Sequence, residues 1–144
     1  MAKPKGERHL SKDEFDAIYY RIHDDAIEMT KYNFRAKPEV AVEKQAYIQT
    51  ATKKLLGYVW DLINHIKIAN TLYPTTHEEL VERRLEQDKA LGACFSMLTL
   101  YELAMKYLGV KDDMGVIEIK NIVHGINAIK AWRTSDNKRF KDLK

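Results

Sequence analysis

The stretch "IQTATKKLLGYVWDLINHIKIA", residues 48–69, decides the fold class because its apolar residues recur in steps of three and four. That spacing brings side chains onto one face of an α-helix. A second stripe of Leu56, Trp60 and Ile63 lies beside this seam, so the apolar arc is wide enough to contact more than one neighbour. The pattern predicts a long helix from about Val42 to Leu72. The seam consists of Ile48, Ala51, Leu55, Val59, Leu62, Ile66 and Ala69.

The preceding segment has the same helical spacing and a clear start signal. It opens with "SKDE", a capping box in which the Ser11 hydroxyl accepts a hydrogen bond from the third amide of the helix and Glu14 reaches back. The helix is expected to run to about Arg35. It ends before Pro38, because a proline biases the residue in front of it away from helical geometry.

The following segment predicts a third helix, from about Thr76 to Leu108, with a second capping box at its start and a C-cap at Gly109. Its seam contains two polar residues, Arg84 and Gln87. Either this end of the helix overhangs the core, or these side chains face a buried group. Several glutamates surround the basic residues here, which favours a solvated and self-compensated face for Arg83, Arg84 and Lys89.

The last apolar segment, about Met114 to Thr134, is open to two interpretations. Its part "GVIEIKNIV" is β-branched and partly alternating, which is compatible with a strand, but the isoleucine spacing favours a helix. Four amphipathic helices with short connections predict an all-α protein, an antiparallel up-down-up-down four-helix bundle over residues 11–135. A flexible basic leader (1–10) and a basic tail (136–144) flank it. The wide apolar arcs predict that the bundle is oligomeric.

Composition places the chain among ordinary globular proteins, with 45% hydrophobic and 31% charged residues in 144. A single cysteine, Cys94, allows no intrachain disulfide, which fits a reducing compartment. The first residues form no apolar signal segment, and no stretch approaches the about 20 apolar residues of a membrane helix. We therefore expect a cytoplasmic protein without a membrane partner.

The net charge of +3 is unevenly distributed along the chain. Residues 1–12 carry a net +3 and residues 130–144 a net +4, which leaves −4 for the residues between them. Basic ends often serve only solubility. The sharper interpretation is an electrostatic arm for a polyanion.

Motifs for catalysis or metal binding are missing from the sequence. Asp61 and His65 lie one helical turn apart but off the main seam, and the Glu-x-x-His pattern of di-iron bundles does not occur. Cys94 sits on an apolar face, where a free cysteine acts as a small hydrophobe. No glycine-rich phosphate loop is present. We expect no enzyme activity, no catalytic residues, no metal and no cofactor.

Basic and aromatic residues are the remaining candidates for function. On the second helix, Lys53 and Lys67 share a face with Trp60, although their aliphatic stems equally suit the edges of a protein interface. In the tail, Phe140 lies among cations that can neutralise phosphates, and its ring can stack on a base. Trp132 is the predicted anchor of the tail. The candidate nucleic-acid-binding residues are Lys53, Lys54, Lys67, Arg133, Lys138, Arg139 and Lys141, with Trp60 and Trp132 as anchor or interface residues.

Three segments together resemble a known family of bundle proteins. They are "KKLLGYVWDLINHIKIA" (residues 53–69), "LGACFSMLTLYELAMKYLGV" (91–110) and "VHGINAIKAWRTS" (123–135). Their pattern and order are similar to the Avd accessory proteins of diversity-generating retroelements, which in turn resemble bundle proteins encoded by intervening sequences in bacterial ribosomal RNA genes. Two features differ from the family: the helical middle is net negative, and "KAW" (130–132) replaces its glycine before the tryptophan.

The resemblance implies a non-enzymatic protein that assembles as a ring-like homopentamer. It implies two further partners, a reverse transcriptase and the structured RNA template that this enzyme copies during mutagenic cDNA synthesis; the residues leave the choice between RNA and DNA open. The alternative is a plain protein–protein adaptor whose basic ends only keep it in solution.

Overall fold

The computed structural model describes residues 10–33, 42–109 and 112–144. Residues 1–9 of the predicted leader, and the predicted break at Pro38, lie outside this part of the chain. The elements are α1 (Lys12–Glu28), which continues as a π-helical turn (Met29–Asn33), α2 (Val42–Thr71), α3 (His77–Leu108) and α4 (Asp112–Arg139). The all-α prediction is confirmed, and the β-branched segment is part of α4.

The predicted caps explain where the helices start and stop. The Ser11 hydroxyl accepts a hydrogen bond from the Glu14 amide at 3.2 Å, and Thr76 does the same for Glu79 at 3.2 Å. Gly109 ends α3 in the left-handed conformation at φ 66°, which glycine adopts without steric cost. Side chains and backbone thus satisfy amides and carbonyls that a bare helix end leaves without partners.

The helices form an antiparallel up-down-up-down four-helix bundle in which each helix packs on its sequence neighbours and α1 also packs on α4. The ring contacts that fix these directions join Phe15 to Trp132, Tyr47 to Tyr107 and Tyr73 to Phe140, with centroids 5.2, 4.5 and 5.4 Å apart. Consequently α1 and α3 begin, and α2 and α4 end, at one end of the bundle. We name this end the terminal pole; it comprises residues 10–15, 67–88 and 130–144.

The core follows the predicted seams closely in α2 and less closely in α3. All seven seam residues of α2 are buried, as predicted. In α3 the polar seam residues were predicted to be Arg84 and Gln87. Gln87 is buried as predicted, but the prediction for Arg84 is wrong: Arg83 is buried, at 5% exposure, and Arg84 is only partly covered. Arg83 therefore does not belong to a solvated face. Arg83 is buried because it is paired with Asp136, which is also buried.

Helix α4 is longer than the sequence predicted. Its buried face runs through Ile122, Ile126 and Ile129 and then continues with Asp136 and Phe140, which are 1% and 6% exposed. The helix reaches Arg139 rather than Thr134, because these two residues keep the helical spacing of the buried face. The predicted division at residue 135 between bundle and tail therefore falls within α4.

Helices α1 and α4 approach closely at Gly125. The Tyr19 hydroxyl donates a hydrogen bond of 3.0 Å to the Gly125 carbonyl oxygen across this contact. A Cβ atom at Gly125 would lie 2.9 Å from Cδ1 of Ile22, whose side chain is buried. The absence of a side chain at this position thus allows the two helices to come together near the middle of α1.

Glu118, on α4, is a partly buried carboxylate whose Oε2 atom accepts no hydrogen bond from the described part of the protein. Burial, and secondarily the negative charge of Asp25, raise its pKa. At Glu118 the folded state therefore binds a proton more readily than the unfolded chain. The ionised carboxylate lowers the free energy of unfolding above the pKa of the folded state, and this loss vanishes below the pKa of the unfolded chain. Glu118 should make the bundle less stable at neutral pH than in mild acid.

We expect Glu118→Gln to raise the Tm at pH 7 by about 1–2 °C, with the difference shrinking as the pH falls through the pKa of Glu118. Thermal unfolding followed by circular dichroism measures this difference in Tm between about pH 4 and pH 7, the range in which carboxyl groups titrate. Glu102→Gln, at an exposed position of α3, controls for the loss of one negative charge. A difference that stays constant with pH would contradict the assignment.

Candidate nucleic-acid interface

The terminal pole is organised around a buried ion pair between α3 and α4. The Arg83 guanidinium donates from Nε to Oδ2 of Asp136 at 2.8 Å and from Nη2 to Oδ1 at 2.9 Å. The Gln87 amide adds a third hydrogen bond, from Nε2 to Oδ2 of Asp136 at 2.9 Å. This bidentate geometry with an additional donor is what a buried carboxylate requires, since each of its oxygens then has a partner.

The same arginine also joins the pair to the end of α2. Its Nη1 donates to the carbonyl oxygen of Leu72 at 3.3 Å and, more weakly, to that of Ala69 at 3.5 Å. Ala69 belongs to the last turn of α2, and its carbonyl oxygen also accepts a hydrogen bond of 3.2 Å from the Leu72 amide. Leu72 directly follows the helix, so its carbonyl oxygen lies beyond the intrahelical hydrogen bonds. The rings of Trp132 and Phe140 lie 5.0 and 5.7 Å from the guanidinium carbon, within cation–π range. Arg83 thus holds three helices together at this pole.

The C-terminal segment is docked onto this centre. Phe140 packs against Tyr73 with an edge-to-face geometry, and the His77 amide donates to the carbonyl oxygen of Lys144 at 3.0 Å. Phe140 was a candidate for stacking on a base, and this interpretation is wrong because its ring is buried. Trp132 lies between Phe15 and Arg83, with part of its surface still exposed.

Docking of the segment leaves its cations on the surface. Lys138, Arg139 and Lys141 are exposed, and the Arg139 guanidinium lies 5.8 Å from the Phe140 ring. Residues 130–144 contain six lysines and arginines and two aspartates, of which Asp136 is buried and paired with Arg83. Asp142 is therefore the exposed side-chain carboxylate of this stretch, and cations dominate the surface of residues 130–144.

Two of the candidate lysines on α2 lie apart from the candidates on α4. The third, Lys67, lies in the terminal pole and donates a hydrogen bond of 3.0 Å to the Tyr20 hydroxyl, which raises the lysine pKa. Lys53 and Lys54 are exposed and lie about 25–27 Å from the Thr71 end of α2, at 1.5 Å per residue. Trp60 lies between them and Lys67, with 65% of its surface exposed. The predicted residues thus form two groups.

Sequence reasoning missed part of the surface beside Arg133. A shallow depression of about 440 Å³ lies between α3 and α4. It is lined by Arg84, Lys130, Arg133, Thr134 and Asn137. The spacing of Lys130, Arg133 and Asn137 places them on one face of α4, and this signal was available in the sequence. The contribution of Arg84 was not, because it comes from another helix.

Other polar groups are engaged structurally. Nδ1 of His65 and Oε2 of Glu86 are 2.6 Å apart between α2 and α3, and burial raises the pKa of the Cys94 thiol to about 12. Over the described ranges, no three histidine, cysteine, aspartate or glutamate side chains are close enough together to hold a metal ion. Nor does any helix within them have the length and apolarity needed to cross a membrane.

Comparisons of the chain with protein-family models, with curated proteins and with solved structures find no match. The geometry of the terminal pole and the resemblance of the sequence are therefore the basis for assigning a function.

Proposed function

We propose that this protein is a non-enzymatic accessory protein that binds nucleic acid through the terminal pole and serves a reverse transcriptase in a diversity-generating retroelement. The observation that supports nucleic-acid binding is the docked basic segment. Lys138, Arg139 and Lys141 lie exposed around a fixed framework of buried Phe140 and Asp136. Cations in this arrangement attract the phosphate backbone without any sequence preference.

A docked segment suits this role better than a free arm. A disordered basic tail loses conformational entropy when it binds, which reduces the affinity gained per contact. Here the Arg83–Asp136 pair and Phe140 hold the helix end in the unbound protein, so that cost is largely met on folding.

The roles of the partners come from the family resemblance. A structured RNA is the proposed ligand of the pole, and the reverse transcriptase and further copies of the chain are the proposed protein partners, as a homopentamer in the family. The exposed Trp60 on α2 lies away from the pole and is a candidate for these protein contacts, because large exposed aromatic residues commonly anchor interfaces.

The alternative function, a protein–protein adaptor, is favoured by an apolar groove between α2 and α3. The groove measures about 470 Å³, and its lining includes Tyr47, Tyr58, Phe95 and Leu103. Phe95 and Leu103 are about half exposed, at 49% and 56%. Exposed apolar surface of this kind is typical of interaction sites.

Binding of a labelled structured RNA at two salt concentrations tests the proposal. If several phosphates are contacted, affinity should fall by orders of magnitude between about 50 and 200 mM salt. Fluorescence anisotropy with the purified full chain measures both values. No binding at the lower salt concentration would remove nucleic acid from the function and leave the adaptor. Salt-insensitive binding would also contradict a phosphate-dominated contact.

A further inference from the structure

The depression between α3 and α4 brings together groups that recognise a phosphate. Arg84, Lys130 and Arg133 supply three cations, and none of the described residues that line the depression is a carboxylate. The Arg84 guanidinium donates to Oδ1 of Asn137, which leaves the Asn137 amide nitrogen as a donor for a ligand. Guanidinium groups with adjacent neutral donors are the usual partners of phosphate oxygens in proteins.

One carboxylate lies at the edge of this site. Oδ1 of Asp88, on α3, is 2.6 Å from Nη1 of Arg133. The two side chains are 51% and 34% exposed, so the pair is open to solvent, unlike the buried pair of Arg83 and Asp136. Exposed ion pairs contribute little stability, and a stronger ligand can displace them.

We propose that the depression seats one backbone phosphate of the nucleic acid, and that this phosphate displaces Asp88 from Arg133. Asp88 is then a built-in competitor that occupies the guanidinium in the free protein. The inference rests on the function proposed above and adds a specific phosphate contact and its regulation. A carboxylate and a phosphate compete for the same N–H donors, because both accept in the plane of the guanidinium.

Displacement has a distinct signature in the salt dependence. A cation that binds phosphate releases a counterion from the nucleic acid, which steepens the fall of affinity with salt. When Asp88 loses Arg133 it becomes an unpaired charge that attracts a cation from solution, and this uptake offsets the release. Removing Asp88 should therefore steepen the dependence as well as tighten binding.

The test compares Asp88→Asn with Asp142→Asn in the full chain, using the same labelled RNA. Both variants remove one exposed carboxylate from the terminal pole, but of the two only Asp88 is paired with Arg133. We expect Asp88→Asn to bind about two- to fivefold more tightly than Asp142→Asn. The slope of log affinity against log salt should become steeper by about one.

A double-mutant cycle with Arg133→Gln tests whether Asp88 affects RNA binding through Arg133. If Asp88 acts through Arg133, the gain from Asp88→Asn disappears in the Arg133→Gln background. A gain that persists there, or one equal to that of Asp142→Asn, overturns the competitor assignment while leaving nucleic-acid binding intact. Failure of every variant to bind RNA overturns both proposals, so the two failures are distinguishable.

Inorganic phosphate distinguishes the source of the phosphate group. Titrated against the RNA complex at constant ionic strength, it should not displace the RNA, because a polynucleotide makes many contacts at once. Displacement by inorganic phosphate would identify a site for a small anion and overturn the assignment to a nucleic-acid backbone.

Discussion

Replacing Asp136 with asparagine is expected to destabilise the bundle by about 3–5 kcal/mol, although the two side chains have nearly the same shape. In the native protein both carboxylate oxygens accept hydrogen bonds, Oδ1 from Arg83 and Oδ2 from Arg83 and Gln87. Asparagine offers only one oxygen, so its amide nitrogen would face a donor. The buried guanidinium would also lose its counterion, and the nearby Trp132 and Phe140 rings compensate only in part.

Urea unfolding followed by circular dichroism measures this loss, and a thermal melt should show a decrease in Tm on the order of 10 °C. Asp142→Asn is the matched control, since it removes an exposed carboxylate on the same segment and should change the free energy of unfolding by no more than about 0.5 kcal/mol. If the free energy of unfolding of Asp136→Asn remained within about 1 kcal/mol of the wild-type value, the ion pair would not be what stabilises the terminal pole.

A double variant separates the charge effect from the packing effect. Arg83→Met with Asp136→Leu removes both buried charges and keeps apolar volume at both positions. Replacing a whole buried pair is less costly than removing one partner, so this variant should be more stable than Asp136→Asn. A double variant as unstable as the single one would instead attribute the loss to the groups that lose a hydrogen bond in it, the Gln87 amide and the carbonyl oxygens of Ala69 and Leu72.

The sequence predicted the framework of this fold because the framework depends on local pattern. The seam of α2 and the cap residues Ser11, Thr76 and Gly109 were all identifiable from the spacing of apolar residues and from capping chemistry. These features are set by residues within one or two helical turns of each other. A single sequence contains that information in full.

The centre of the terminal pole could not be predicted in the same way. Arg83 and Arg84 both lie at helical spacing from Gln87, and polar side chains do not reveal which of them faces inward. The choice is made by Asp136, which is 53 residues away from Arg83 in the sequence. In the sequence, Asp136 was assigned to the start of the polar tail. Aspartates are mostly exposed in proteins, so the sequence does not reveal a buried one whose partner lies far away in the chain.

The candidate site was predicted in part for the same reason. Lys138, Arg139 and Lys141 are exposed, and their charge was evident from composition. What composition did not show was that Phe140 is buried among them. The depression could not be predicted from composition either, because Arg84 and Arg133 approach each other only when α3 and α4 pack together.

This arrangement changes how the basic segment should be tested. A chain ending at Ser135 would lose Asp136 and Phe140 together with the cations, so weaker RNA binding would not distinguish lost charge from lost structure. Substituting the exposed cations alone leaves the buried contacts in place. The informative variant is therefore the triple substitution Lys138→Gln, Arg139→Gln and Lys141→Gln.

We expect this triple variant to fold like the wild type and to lose most of its RNA affinity at low salt. Each exposed substitution should change stability by no more than about 0.5 kcal/mol, because none of these side chains is buried. Each lost phosphate contact should lower the slope of log affinity against log salt by about one, so the slope should fall by about two to three. Anisotropy titrations over a series of salt concentrations measure it.

The comparison variant is Lys53→Gln, Lys54→Gln and Lys106→Gln, which removes the same charge from exposed positions outside the terminal pole. Lys53 and Lys54 were themselves predicted to contact nucleic acid, so this variant also asks where the interface ends. If the pole is the interface, the comparison variant retains most of the slope, since exposed charges farther than a Debye length of about 10 Å from the phosphates are largely screened. Equal losses in the two triple variants would mean that RNA responds to overall charge, and the ordered surface around Phe140 would have no special role.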